Sequence, residues 1–128
     1  MDPVSAWDYV GLFHELLRQS SDAVLLTRPD DGRILEANEA FLQLFGLTRA
    51  EVIGRTTLEL GLWSRPEERE AIRRLAAETG RVDAARVHAR DRFGGELQMQ
   101  VSTAKLPYRG NEIMLSVARP LAPASRAG

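Results

Sequence analysis

Two histidines, His14 and His88, and two pairs of adjacent acids, Asp30–Asp31 and Glu67–Glu68, are the residues from which catalysis or metal binding would have to be built. Neither set has the company it needs. His14 falls among helix-spaced apolar residues, and His88 lies between Arg86 and Arg90 on an alternating stretch, so each reads as a solvated surface side chain rather than a ligand. Asp30–Asp31 precede Gly32 in a turn, and Glu67–Glu68 follow Pro66 at a helix start; in both contexts carboxylates serve the backbone. Cysteine is absent, which removes disulfides, thiolate metal sites and thiol nucleophiles together. Gly94–Gly95 is a turn rather than a phosphate cradle, and neither a nucleophile elbow nor a phosphate loop occurs. No catalytic set is present, so the chain reads as a binding module and not an enzyme.

The elements are arranged around Asn38. Ile34, Leu35 and Ala37 make a short apolar run ending at Asn38, after which helix spacing places Phe41, Leu42, Leu44 and Phe45 on one side. Asn is a strong N-cap, because its side-chain oxygen accepts from the orphan amides of the first turn, and Gly46 supplies the left-handed stop. Removing such a cap costs about 1 kcal/mol. Upstream, Ser5–Asp8 opens a helix expected to reach about residue 19, with Trp7, Val10, Phe13, Leu16 and Leu17 as one apolar stripe. Ala23–Thr27 reads as a buried strand, and Pro29-Asp30-Asp31-Gly32 turns it into a hairpin with Arg33–Ala37.

Downstream, Thr48-Arg49-Ala50-Glu51 and Ser64-Arg65-Pro66-Glu67 both read as capping boxes, the second with proline in its first turn. The helix after Pro66 runs to about Thr79 with Ile72, Leu75 and Ala76 inward, and Gly80 ends it. Three alternating strands follow. Ala85, Val87 and Ala89 alternate with Arg86, His88 and Arg90; Leu97, Met99 and Val101 with Gln98, Gln100 and Ser102; Ile113, Leu115 and Val117 with Met114, Ser116 and Ala118. The order of helix, two strands, small helices, one longer helix and three strands predicts an α+β domain with helices across one face of an antiparallel sheet. The expected parts are an amphipathic helix over residues 1–20, a domain over 21–119, and a tail or linker start over 120–128.

A length of 128 residues is enough for one domain with a real core. The 17 basic and 18 acidic residues nearly cancel to a net charge of −1, and the arginines are scattered, so neither nucleic acid nor another polyelectrolyte is an expected partner. No apolar run is long enough to span a bilayer, and Met1-Asp2-Pro3 does not read as a signal peptide, so a cytoplasmic protein without a membrane partner is expected.

Over residues 10–119 the order of these features resembles that of PAS domains, the sensory modules common in bacterial signalling. The matching features are Asp31-Gly32 after the first strand, Asn38-Glu39-Ala40-Phe41, and Phe45-Gly46-Leu47-Thr48 with Glu51 and Gly54-Arg55. Gly61-Leu62-Trp63 with Pro66-Glu67-Glu68-Arg69 and the glycine-rich turn before the last hairpin follow in the family's order. The chain departs from the family at its end, where Arg119-Pro120-Leu121 stands in place of the usual Asp-Ile-Thr-like triplet that links sensor to effector. The resemblance implies a PAS fold: a five-stranded antiparallel sheet with small helices on one face, plus the extra N-terminal helix.

It also implies a cavity between sheet and helices, or none and a docking role instead. In the family's register Gln100, Ser102, Met114 and Ser116 point inward, joined by Leu25, Thr27, Val87 and Ile72, while Asn38, Phe41, Phe45, Thr57 and Trp63 close the helical side. Alternation alone gives the opposite register, burying Leu97, Met99, Val101, Ile113, Leu115 and Val117 and leaving the glutamines wet. Both hold if the N-terminal stripe (Trp7, Val10, Phe13, Leu17) or a second subunit covers an outer face of Leu97, Met99, Val101, Leu115 and Val117, and a homodimer is expected on that ground. Among cofactors, light-oxygen-voltage members bond flavin through a cysteine that would fall at Thr57, where a hydroxyl cannot form the adduct. Haem-binding members take an axial histidine from the long helix, which has none here. Neither group is expected, and the small-molecule ligand stays open. The implied function is sensing in signal transduction, as in two-component systems, with output to an effector such as a histidine kinase or cyclic-dinucleotide enzyme in the same or another chain. The alternative is a ligand-free module serving only dimerisation or docking.

Overall fold

The computed structural model describes residues 20–121. The expected helix over residues 1–20, with its apolar stripe, therefore lies outside the described residues, apart from Ser20 itself. Five strands, β1 (Ala23–Thr27), β2 (Ile34–Ala37), β3 (Arg81–Arg90), β4 (Glu96–Tyr108) and β5 (Asn111–Pro120), form one antiparallel sheet in the order β2-β1-β5-β4-β3. Three helices, α1 (Glu39–Phe45), α2 (Arg49–Val52) and α3 (Pro66–Thr79), connect β2 to β3. No helix among the described residues is long and apolar enough to cross a membrane.

Local sequence accounts for most element ends. In the β1–β2 turn Gly32 takes φ +74°, a left-handed value that other residues resist, and its N–H donates to the Arg28 carbonyl at 2.8 Å. Asn38 caps α1, accepting from the Phe41 N–H at 3.0 Å. Thr48 and Glu51 form the reciprocal capping box of α2. The second expected box is not made. Arg65 is the N-cap of α3 and offers no side-chain bond, while the Ser64 hydroxyl donates to the Ala89 carbonyl at 3.1 Å. The reason is tertiary: Trp63 bridges to Ala89 and the Ser64 N–H donates to the His88 carbonyl, so this segment is drawn onto the open edge of β3 before the helix begins. Leu75, expected inward, is exposed; Ala76 is fully buried and Ile72 half-buried on the face of α3 that meets the sheet.

Residues directly opposite one another in neighbouring strands share a face, so the register decides which side each occupies. Val87 pairs with Met99, Val101 with Ala118, Thr103 with Ser116, and Ser116 in turn with Leu25. These lie under the helices, and the core there runs from Ala23, Leu25 and Ile34 through Phe41, Phe45 and Val52 to Val87 and Met99. On the other face Ser102 pairs with Val117, Gln100 with Arg119, and Leu26 with Leu115. β3 bulges between Val82 and Ala85, and at the bulge Ala84, at φ +54°, donates its N–H to the Ser102 hydroxyl at 3.0 Å.

Candidate functional site

Between the sheet and the helices lies a cavity of about 140 Å³. The strands contribute Leu25 and Thr27 from β1, Val87 and Ala89 from β3, Met99, Val101 and Thr103 from β4, and Met114, Ser116 and Ala118 from β5. Phe41 of α1 and Ile72 of α3 cover it, with Thr57, Leu62 and Trp63 from the segment between α2 and α3. At one end the β1–β2 turn (Arg28, Pro29, Gly32) meets Arg69 and Arg73 of α3.

Two pairs of polar side chains on the cavity wall bond to each other. The Trp63 indole N–H donates to the Thr57 hydroxyl at 2.8 Å, and the Thr103 and Ser116 hydroxyls lie 3.0 Å apart across β4 and β5. A hydroxyl has one donor and two acceptor positions, so each pair retains capacity for a further polar partner. At the guanidinium end, Arg28 is held by Asp31, whose carboxyl is lowered to about 2 by the Arg28 side-chain bond, then by the Arg33 N–H. Arg73 reaches the Pro29 carbonyl at 3.4 Å and Glu70 at 3.6 Å. Arg69 makes no hydrogen bond or ion pair among the described residues, although it is half-buried.

Leu25, Thr27, Phe41, Thr57, Trp63, Ile72, Val87, Met114 and Ser116, all expected around a pocket, are brought to this cavity. Asn38 and Phe45 are buried beside it rather than on its wall: Asn38 is locked at the β2–α1 corner, and the Phe45 ring packs 4.8 Å from that of Phe41. Gln100 and Ser102 are corrected. Their partners Arg119 and Val117 place them on the opposite face, and Ser102 serves the β3 bulge. The expected outer face is corrected with them, since Leu97, Met99 and Val101 lie on the cavity side and only Leu115 and Val117 face outward. Thr103, Ala118, Arg69 and Arg73 also line the cavity and were not among the residues expected there. Residues 69, 72, 73 and 76 recur at helical spacing, so Ile72 and the buried Ala76 mark the face on which the two arginines sit.

His88 is half-buried rather than solvated. Its backbone N–H donates to Glu68 Oε1 at 2.8 Å, and its Nδ1 lies 2.9 Å from Glu68 Oε2, which ties α3 to the sheet edge. Burial pushes the Glu68 carboxyl up, but the His88 N–H, the His88 ring and Arg65 together outweigh it and hold the group below its ordinary value. A carboxyl lowered in the folded state stabilises fully above its unfolded pKa and loses that contribution as pH falls through the folded one. Glu68→Gln is therefore expected to cost about 1 kcal/mol at pH 7. In urea melts the gap between variant and parent should close as pH falls below the ordinary value of 4.5. A gap independent of pH would mean that the charge plays no part. Among the described residues no group of three or more His, Cys, Asp or Glu could hold a metal ion.

A family model described as the PAS fold matches residues 17–117. No curated protein matches the chain in sequence. Among solved structures, a PAS domain from a two-component sensor histidine kinase superposes with a TM-score of 0.76 at 11% identity, covering 91% of this chain and 100% of that one. A domain of a sensory box sensor histidine kinase/response regulator from Geobacter sulfurreducens gives 0.73 at 20% identity, with 90% and 96% covered. The PAS domain of a LuxR-family transcriptional regulator from Burkholderia thailandensis, solved in complex with ethanol, gives 0.70 at 18% identity, with 87% and 98% covered. At these identities the likeness is one of fold.

Proposed function

The chain belongs to the PAS family, and we propose that it senses a small molecule in the cavity and passes the event to an effector through its sheet. The observation that carries this reading is the placement of β5. Met114, Ser116 and Ala118 form part of the cavity wall, while Leu115 and Val117 of the same strand form a half-buried apolar row on the opposite face with Leu26. A ligand that repacks the inner side of β5 shifts the outer side with it, because a strand cannot move one row of side chains without the other. The kinase neighbours support an effector of that kind, in this chain or another, and the reading assigns no catalysis to the domain.

The outer row is the output surface, and its occupant is a second copy of the chain. In the sequence, the apolar positions Trp7, Val10, Phe13 and Leu17 precede β1, the strand beside β5, and a symmetric pair would bring two copies of them to the seam. The test is a fragment screen by amide NMR on the whole chain. Compounds that shift Met114 and Ser116 are expected to shift Leu115 and Val117 as well, and Ser116→Phe should abolish both responses. Leu115→Arg should turn a dimer into a monomer in light scattering. A chain that binds no fragment at these residues, or is monomeric from the outset, overturns the sensing or the pairing half respectively.

A further inference from the structure

We propose that the cavity selects a small carboxylate with a compact apolar body, seated with its anionic end on Arg69 and Arg73. This rests on the sensory reading and narrows the ligand class. The two arginines stand one helical turn apart on α3, and both border the cavity. The nearby acids are already engaged: Asp31 by Arg28 and Arg33, and Glu70 by Arg73. Arg69 is left as a half-buried guanidinium without a hydrogen-bonding or ion-pair partner among the described residues, at the end of an otherwise largely apolar space. A partly desolvated cation gains from an anionic partner more than a fully solvated one does. Burial first and the like charge of Arg73 second push the Arg69 pKa down from the usual guanidinium value, and the neighbouring Glu70 offsets this only in part. The guanidinium lies close against the β1–β2 turn, where a Cβ at Gly32 would stand 2.8 Å from Arg69 Nη2.

An entering anion relieves the desolvation and the like-charge repulsion together. A carboxylate suits the planar guanidinium fork, which can hold both its oxygens. The rest of the ligand follows from the walls. Phe41, Ile72, Val87, Met99 and Val101 make most of the wall apolar, with Thr27, Thr57, Thr103 and Ser116 as its only hydroxyl-bearing residues, so the body is chiefly apolar. Its size is set by the 140 Å³ available, close to the apolar cavity of about 150 Å³ that accommodates benzene in another protein. Benzoate has both properties and serves as the probe; benzyl alcohol keeps the ring and removes the charge.

The experiment titrates each probe into the full chain and follows the methyl resonances of Met99 and Met114, which line the cavity. Benzoate is expected to shift both methyls and to bind at least about tenfold more tightly than benzyl alcohol, as a charge-assisted hydrogen bond in a partly desolvated site provides. Arg69→Gln should abolish that advantage and leave benzyl alcohol binding unchanged, whereas Arg69→Lys, which keeps the charge but not the fork, should retain part of it. Equal affinity for the two probes, or benzoate binding unaltered in Arg69→Gln, overturns the anion selectivity and leaves the cavity reading intact. If neither probe moves the two methyls, both the selectivity and the cavity reading fall. Benzoate binding without those shifts places the ligand elsewhere and overturns the proposal.

Discussion

Met99→Asp is expected to leave the domain predominantly unfolded at pH 7, while Gln100→Asp, one residue along the same strand, should be nearly neutral. Met99 is 1% exposed, opposite Val87 on the cavity side of the sheet. Truncating such a side chain costs about 2–5 kcal/mol, and an ionised carboxylate without a partner in that place adds several more. A domain of this size is stable by only about 5–15 kcal/mol, so the combined loss removes most or all of it. At position 100 the side chain faces out between Arg86 and Arg119, where a carboxylate meets two cations and the change should stay within about 0.5 kcal/mol. The buried carboxyl of the first variant would have a raised folded pKa, so its deficit should shrink at pH values below the ordinary carboxylate range. Circular dichroism and urea melts of the pair decide the matter. A folded Met99→Asp beside an unfolded Gln100→Asp would mean that the two faces are exchanged.

That pair also marks where sequence reasoning divides from structure. The alternation of Leu97, Met99 and Val101 against Gln98, Gln100 and Ser102 was legible and by itself places the apolar set inside, as the strand pairing does, but the register carried over from the family put Gln100 and Ser102 there instead. β5 was not legible in the same way. Its more apolar residues, Leu115 and Val117, face outward, while Ser116 and Ala118 face the core side. A cavity needs small side chains on its wall, so hydrophobicity on β5 runs opposite to what a filled core would select. Arginines on a helix are usually read as solvent-facing because their stems can carry the charge outward, which hid Arg69 and Arg73. Local signals fared better. The capping role of Asn38, the Gly46 stop and the Thr48–Glu51 box act within one turn of themselves and could be read directly. Ser64 and His88 could not, since their partners Ala89 and Glu68 lie 25 and 20 residues away.

Asn38→Ala is expected to destabilise the domain by about 2–4 kcal/mol, well beyond the roughly 1 kcal/mol of an ordinary N-cap. The excess comes from a second role that its position in the sequence does not reveal. Asn38 Oδ1 accepts from the Phe41 N–H at 3.0 Å, as a cap does, and also from the Val24 N–H of β1 at 2.9 Å. Its amide nitrogen donates to the Asp22 carbonyl at 2.9 Å, and its backbone N–H donates to the Val24 carbonyl. One side chain thus fastens the β2–α1 corner to β1, next to Ala23 and Leu25 of the cavity wall. Alanine leaves the buried Val24 N–H without this acceptor, and an unsatisfied buried donor costs about 1–3 kcal/mol on top of the lost cap. Two further variants separate the roles. Asn38→Ser keeps a cap acceptor but is too short to reach Asp22, so it should recover about 1 kcal/mol of the loss. Asn38→Asp keeps both acceptor contacts and adds a charge favourable at a helix start, but it loses the donor to Asp22, and should fall between serine and the parent. Guanidinium melts of the series give the ranking. If serine restores the parent's midpoint, capping is the whole contribution and the tie to β1 carries no energy.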